Sequence, residues 1–451
     1  VKQVTVLFAI CALFNMAPTT ASAAEAVQRW TLKEAISTAL TRNNLVKAAG
    51  FSADAAGHGT VIAHSRYYPG IFFEETFAAS NAPTHTFMMK LDQARFNQND
   101  FQINNLNHPA SHHNFKTALS IQQPLYDPSS AAMVEMAQKE AEKGTLALDG
   151  VRQDVAFQTF QLYLEVQKAA AQLNATEQAL TDARENMRLA KVRNEAGLGL
   201  RSDELRARTH LSNIEQQNIT AQNNLLLAQL QLANTLGLTE GLRAEIATPA
   251  GMPIVASTEQ ELAVTAVEMR TDLRLARVEQ DSSEAAITLA RSAYLPSLSA
   301  FASYQMDAKN SPLGNDNDAW LVGASLKWQL FDGFKRSAER NRASANSAAA
   351  REMLANRTRL SSYQVTESTL RYKETGKRLE VARHAVADAE ETVRLLSRRF
   401  ENSLATMAEL LDAQTALFQV RAGLVETEAN YALAGGRVYY SAGIFLKEIM
   451  K

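Results

Sequence analysis

RLAKVRNEAGLGLRSDELRARTHL, residues 188–211, returns as RLLSRRFENSLATMAELLDAQTAL, residues 394–417. Without a gap, the copies pair Arg188 with Arg394, Leu189 with Leu395, Arg193 with Arg399, Asp203 with Glu409, Leu205 with Leu411, Ala207 with Ala413, Thr209 with Thr415 and Leu211 with Leu417. Each interrupts a long helical pattern with a few small or polar residues, Ala196 to Gly199 and Asn402 to Ser403, and then restarts it. Each reads as the bend of a helical hairpin.

Outward from the bends, apolar residues recur every seven positions. One row runs Leu148, Val155, Leu162, Ala169, Thr176, Ala183, Ala190, and a returning row runs Leu211, Asn218, Leu225, Leu232. The C-terminal half repeats the spacing with Tyr372, Leu379, Val386, Val393, Phe400 going out and Leu417, Leu424, Tyr431, Val438 coming back. This is coiled-coil spacing, and its alanines let helices approach closely. None of the ten prolines falls between Ser129 and Thr248 or after Pro312, so nothing there breaks a helix. A run from Ser129 to Glu195 at 1.5 Å per residue is about 100 Å long.

Each hairpin is preceded by strand patterns. In Trp320 to Leu330 one face collects Trp320, Val322, Ala324, Leu326, Trp328 and Leu330, and the other Leu321, Gly323, Ser325, Lys327 and Gln329. Trp320 and Trp328 are spaced like the aromatic girdles that bound the apolar band of a membrane barrel. Phe115, Thr117, Leu119 and Ile121 alternate with Lys116, Ala118, Ser120 and Gln122, and Ile71, Phe73 and Phe77 share a face that Glu75 joins. Four strands cannot close a barrel, and an open edge cannot face lipid because its backbone groups would have no partners. If these strands span a bilayer, several chains must pool them, two giving eight or three giving twelve, and the sequence does not choose between the two.

The segment Ala63-His64-Ser65-Arg66-Tyr67-Tyr68-Pro69 matches Ala290-Arg291-Ser292-Ala293-Tyr294-Leu295-Pro296, which indicates an internal two-fold structural repeat. Residues 1–23, with an apolar run and Ala21-Ser22-Ala23, read as a signal peptide. The first repeat spans 24–240, with a strand pair at about 70–125 and a hairpin bending near 196–202. A linker covers 241–258. The second repeat spans 259–446, with a strand pair at about 297–331 and a bend near 402–406, and 447–451 is a C-terminal tail. The helix opening at Leu32 is expected to run to about Arg66.

The formal charge of −2 gives no footprint for nucleic acid. The one cysteine, Cys11, lies in the leader, leaving no thiol for catalysis or metal binding after cleavage. No HExxH, GxSxG or GxxxxGK[ST] occurs, so the chain does not read as an enzyme and no cofactor is expected. The segment from Thr84 to His113 carries His85, His108, His112 and His113, but their spacing fits no defined metal site. It reads as a long polar loop.

The chain resembles the TolC family of outer membrane efflux proteins. The resemblance rests on Trp30-Thr31-Leu32 with Glu34-Ala35, the Tyr68-Pro69 and Leu295-Pro296 junctions, the exits Leu125-Tyr126-Asp127 and Leu330-Phe331-Asp332-Gly333, and the two bends. It implies a mixed α and β membrane protein. Three chains would build one 12-stranded outer membrane β-barrel, four strands each, continuing into a long periplasmic α-helical coiled-coil barrel. It implies an exit duct without covalent chemistry, docked on a periplasmic adaptor and an inner membrane pump of the RND or ABC type.

In that family acidic side chains of the second bend ring the closed periplasmic end, and the matching positions are Glu409 and Asp412. Three residues apart at a helix start, they share a face and are favoured by the dipole. Asp203 is the gate position of the first bend. The tyrosine and arginine with which family members hold the closed state are replaced by Phe400 and Ala405, and the common glycine by Ser403. Arg398 or Arg399 is expected to take over. The adaptor contacts are expected at the tips, Gly197, Leu198, Gly199, Leu200 and Arg201 with Ser403, Leu404, Ala405 and Thr406, whose apolar members would be odd on an unpartnered bend. The competing reading is a periplasmic coiled-coil structural or adaptor protein without a barrel.

Overall fold

The structure, a computed structural model, describes residues 28–238 and 243–451. The expected signal peptide at 1–23 lies outside the described residues. The described chain runs β1 (Gln28–Trp30), α1 (Leu32–Arg42), α2 (Asn44–His64), β2 (Gly70–Ser80), α3 (Pro83–Asp92), α4 (Ile103–Asn107), β3 (His112–Tyr126), α5 (Pro128–Glu195) and α6 (Arg201–Thr235). It continues with β4 (Ala244–Ile246), α7 (Glu259–Met269), α8 (Thr271–Ser292), β5 (Ser297–Ala308), β6 (Asn317–Lys327), α9 (Lys335–Glu401), α10 (Met407–Ser441) and α11 (Phe445–Ile449).

The sequence explains where the long helices begin and stop. Asp127 caps α5, accepting from the Ser129 amide at 3.0 Å, and Pro128 takes the first helical position, where its missing N–H costs nothing. The 68 residues of α5 and the 67 of α9 each span about 100 Å. The exit into α9 depends on Arg336, whose guanidinium donates to the Gln329 and Leu330 carbonyls and to the Asp332 carboxylate, and sits over the Tyr294 ring.

Several elements differ from the sequence expectation. The helix expected from Leu32 to about Arg66 is two, because Asn43 adopts an extended conformation, caps the Leu45 amide and donates to Thr235 O. Arg270, likewise extended but without a side-chain cap bond, breaks α7 from α8. The linker at 241–258 contains β4, which pairs in parallel with β1. The segment 84–113 holds two short helices and a 3-10 turn, and α11 runs into the tail. Strand β6 ends at Lys327, so Trp328 lies one residue beyond it and donates its indole N–H to Tyr294 O at 3.1 Å.

The core sits midway along the long helices, where the two halves meet. Phe157 and Phe160 of α5 pack against Phe445 of α11, and Phe157 stacks on Tyr440 of α10 at 4.5 Å. Gly436 lets α10 come this close, since a Cβ there would lie 2.3 Å from the Phe160 ring. The buried Tyr163 hydroxyl shares its one proton between Thr248 O at 2.6 Å and Trp30 O at 3.0 Å, which ties β1 and the inter-repeat segment to α5. Among the described residues no helix is long and apolar enough to cross a membrane.

Candidate functional site

Two regions carry the functional features, at opposite ends of the chain's long axis. At one end lies the four-stranded sheet, ordered β2-β3-β5-β6 and antiparallel throughout. Register places Ile71, Ile121, Ala302 and Val322 in one cross-strand row and Phe73, Leu119, Tyr304 and Trp320 in the next. Those side chains share a face, and Trp320 on it is 73% exposed. The opposite face carries the rows Phe72, Ser120, Ser303, Leu321 and Thr76, Lys116, Asp307, Asn317. The first face is apolar through these two rows and turns polar in the row Glu75, Thr117, Met306, Asp318, the other is mixed to polar, and among the described residues the outer edges of β2 and β6 have no strand partner. Trp328 adds an exposed aromatic at the helical end of the sheet, where the exposed Phe331 and Phe334 rings lie 5.6 Å from each other.

At the other end are the bends. Helix α5 closes through Leu198 N–H to Arg193 O at 2.8 Å and Gly197 N–H to Asn194 O at 3.1 Å, with Gly197 at φ +72°. This is the left-handed ending that glycine permits at no steric cost. Helix α9 closes identically, Leu404 N–H to Arg399 O and Ser403 N–H to Phe400 O, but Ser403 occupies the left-handed position at φ +59°. A serine there is strained, and the neighbouring contacts hold it.

The restarts differ. Thr406 caps α10 in a reciprocal box: its hydroxyl accepts from the Glu409 amide, and the Glu409 carboxylate accepts from the Thr406 amide at 2.7 Å and hydroxyl at 2.9 Å. The Thr406 backbone and hydroxyl bonds hold the Glu409 carboxyl below the usual carboxylate range, so Glu409 is anionic at neutral pH. Asp412, one turn on, is exposed and makes no hydrogen bond or ion pair with another described residue. Helix α6 starts at Leu200 without a side-chain cap. Asp203 is half-buried, and its neighbour Glu204 turns inward, accepting from Arg201, from Asn194 at 2.7 Å and from Arg208 at 3.0 Å.

The tips touch each other. Ala190, Ala207, Phe400, Met407, Leu410 and Leu411 form one cluster across both bends. Arg193 lies over the Phe400 ring at 4.6 Å from its centre and donates to Phe400 O and Ser403 Oγ, each at 3.3 Å. Arg398 and Arg399 are exposed and make no side-chain hydrogen bond or ion pair with another described residue. Sequence reasoning missed Arg193 as a bridging residue. Arg201, three residues before Glu204, and Arg208, four after it, are the signal in the sequence for its inward-turned carboxylate. Of the tip residues, Leu198 is 81% exposed and Leu200 and Leu404 are also exposed, whereas Gly199 and Ala405 are half-buried.

A sheet with apolar rows on one face, joined to two hairpins whose outgoing helices span about 100 Å, can now be set beside known proteins. The outer membrane efflux protein family matches residues 35–238 and 262–443. The chain belongs to that family. The outer membrane protein TolC of Vibrio cholerae serotype O1 is 22% identical over 323 residues, 70% of this chain and 74% of the relative. Among solved structures, CusC superposes with TM-score 0.78 at 17% identity, covering 92% of this chain and 93% of CusC. The Campylobacter jejuni CmeC outer membrane channel gives 0.77 at 16%, covering 93% and 89%. As a member of the outer membrane efflux family, the protein belongs to the outer membrane.

Proposed function

We propose that the protein is the exit duct of a tripartite efflux or type I secretion system, built from three chains around one threefold axis. The observation that carries this is the sheet with two unpaired edges and one apolar face, at the end of helices far longer than a compact domain needs. In lipid those edges must be paired, and three copies of four strands give a closed ring of twelve. The apolar rows through Phe73 and Trp320 then face lipid and the rows through Ser120 and Lys116 line the lumen.

In the same reading the hairpins form a periplasmic tube closed at the bends. Threefold symmetry turns Glu409 and Asp412 into two stacked acidic rings, with Asp203 nearby, and such rings attract cations and repel anions at a constriction. Within each chain Arg193 straps the second bend to the first. Arg398 and Arg399, exposed and without a side-chain hydrogen bond or ion pair among the described residues, are available to the neighbouring copy. Leu198, Leu200 and Leu404 present apolar surface outward, suited to an adaptor's own helical hairpin, through which an RND or ABC-type pump delivers substrate. The test is purification in mild detergent, with native mass and planar-bilayer conductance read on the same sample. The duct gives a mass of three chains and discrete channel steps. A detergent-independent monomer without conductance would return the chain to the soluble coiled-coil reading.

A further inference from the structure

The connection between β2 and β3 is the least explained part of the molecule, and the structure shows it to be a folded body. The strand side chains that it hydrogen-bonds lie on one side of the sheet only. Gln93, 1% exposed at the end of α3, donates to Asn114 Oδ1 and to His113 O, both at 2.8 Å, and its Oε1 meets His112 Nε2 at 2.9 Å. Asn114 in turn donates to Asp307 Oδ1 at 2.6 Å, and Asp307 is also 1% exposed. The Thr86 hydroxyl fixes the start of α3 to Ser80 O. By strand alternation Asn114 and His112 share the face of Lys116 and Ser120, and register puts Asp307 directly beside Lys116. The side chains of His112, Asn114 and Asp307 all lie on the polar face.

The segment is also closed upon itself and tied to the neighbouring strand connection. Lys90 pairs with Asp100 at 2.6 Å, Arg95 with Asp316 at 3.1 Å, and Asn317 donates to Asp92 O at 2.9 Å. Phe96 makes edge contacts with Phe87 and Phe101 at 4.6 and 5.0 Å. Its principal charges are thus paired, while Met88, Leu91, Phe101 and Ile103 remain exposed.

We propose that the segment 81–111 is a plug seated inside the outer mouth of the barrel, forming a second constriction at the end opposite the bends. This rests on the trimeric barrel, in which the polar face is the lumen wall. Twelve strands about 4.8 Å apart and tilted about 40° close a ring about 24 Å across. A helix with its side chains is about 10 Å wide, so three copies of α3 on the inner wall leave only a narrow axial passage. The exposed apolar residues of each plug are covered by the other two copies. Such a constriction excludes large hydrophilic solutes approaching from outside, and the Gln93–Asn114–Asp307 anchor keeps the plug against the wall.

The experiment places a thiol beneath the plug. Ser120, on the polar face six residues (about 20 Å) below Asn114, is changed to cysteine in a Cys11→Ser background and the trimer is labelled from the outer side. A small maleimide should react with Ser120→Cys, while a bulky polymer maleimide should react slowly. Replacing residues 84–108 with a short Gly/Ser turn, or introducing Gln93→Ala with Asn114→Ala, should speed the polymer reaction at least about tenfold. Equal polymer rates with the plug present, released and removed would overturn the proposal. If even the small maleimide fails to react, Ser120 does not line a water-filled lumen, and the barrel reading beneath the proposal fails instead.

Discussion

Changing Arg193 to alanine removes the one side chain seen to bind the two bends of a protomer to each other through charge. Its guanidinium sits 4.6 Å from the Phe400 ring centre, a half-exposed cation–π contact worth about 0.5–1 kcal/mol. Its hydrogen bonds to Phe400 O and Ser403 Oγ are long at 3.3 Å and reached by solvent, adding about 0.5 kcal/mol together. The Phe400 carbonyl also belongs to the C-terminal turn of α9, where a cation is favoured. The sum is about 1–1.5 kcal/mol per protomer, a shift of about tenfold in an equilibrium between strapped and released bends. The assay is the open fraction of single channels in planar bilayers. Arg193→Ala should raise it by about that factor, and Phe400→Leu, which keeps volume but loses the ring, by about two- to fivefold. The double variant should fall short of the product of the two, because they remove the same contact. An Arg193→Ala trimer that assembles normally and opens no more often than the unsubstituted protein would refute the strap.

The remaining expectations concern the same end of the tube. Neutralising Arg398 and Arg399 together to glutamine should raise single-channel conductance if they hold neighbouring copies closed; an unchanged conductance would leave closure to Arg193 and packing. Glu409→Gln with Asp412→Asn should shift the reversal potential in a salt gradient toward loss of cation preference, and no shift would show that neither carboxylate faces the pore. The Glu409 carboxyl lies below its ordinary value because Thr406 hydrogen-bonds its ionised form. A depressed folded-state pKa adds stability above the unfolded value of about 4.3, lost as pH falls through the folded one. Acidification toward pH ~3 should therefore fray the first turn of α10, read as faster amide exchange over residues 407–412, and Glu409→Gln should remove that pH dependence.

The long helices and their bends were legible because proline absence, seven-residue spacing and the duplicated stretch act locally and reinforce one another. The strands were legible from alternation, but their ends were not. Trp328 keeps the alternating pattern of β6 yet leaves the strand, because its indole is drawn to the Tyr294 carbonyl across the helix–strand junction. The break at Asn43 was hidden for a similar reason: the partner that stabilises it, Thr235 O, is 192 residues away. At the tips, Phe400 showed that the family's lock was missing. The side chain that packs on Phe400, Arg193, lies on the other hairpin, and no spacing within one hairpin points from Arg193 to Phe400. The segment 84–113 misled most, since its composition is that of a polar loop while its buried glutamine, asparagine and aspartate become a network only once the strands are in register.

The central claim is that the sheet is one part of a shared ring, so that no strand edge stays open in the membrane. Amide hydrogen exchange in proteoliposomes tests it strand by strand. The outward-pointing amides of β2 and β6, unpaired within one chain, should exchange as slowly as those of the central strands β3 and β5. Rapid exchange along those two edges, with β3 and β5 protected, would mean that no neighbouring copy pairs with them and would contradict the account.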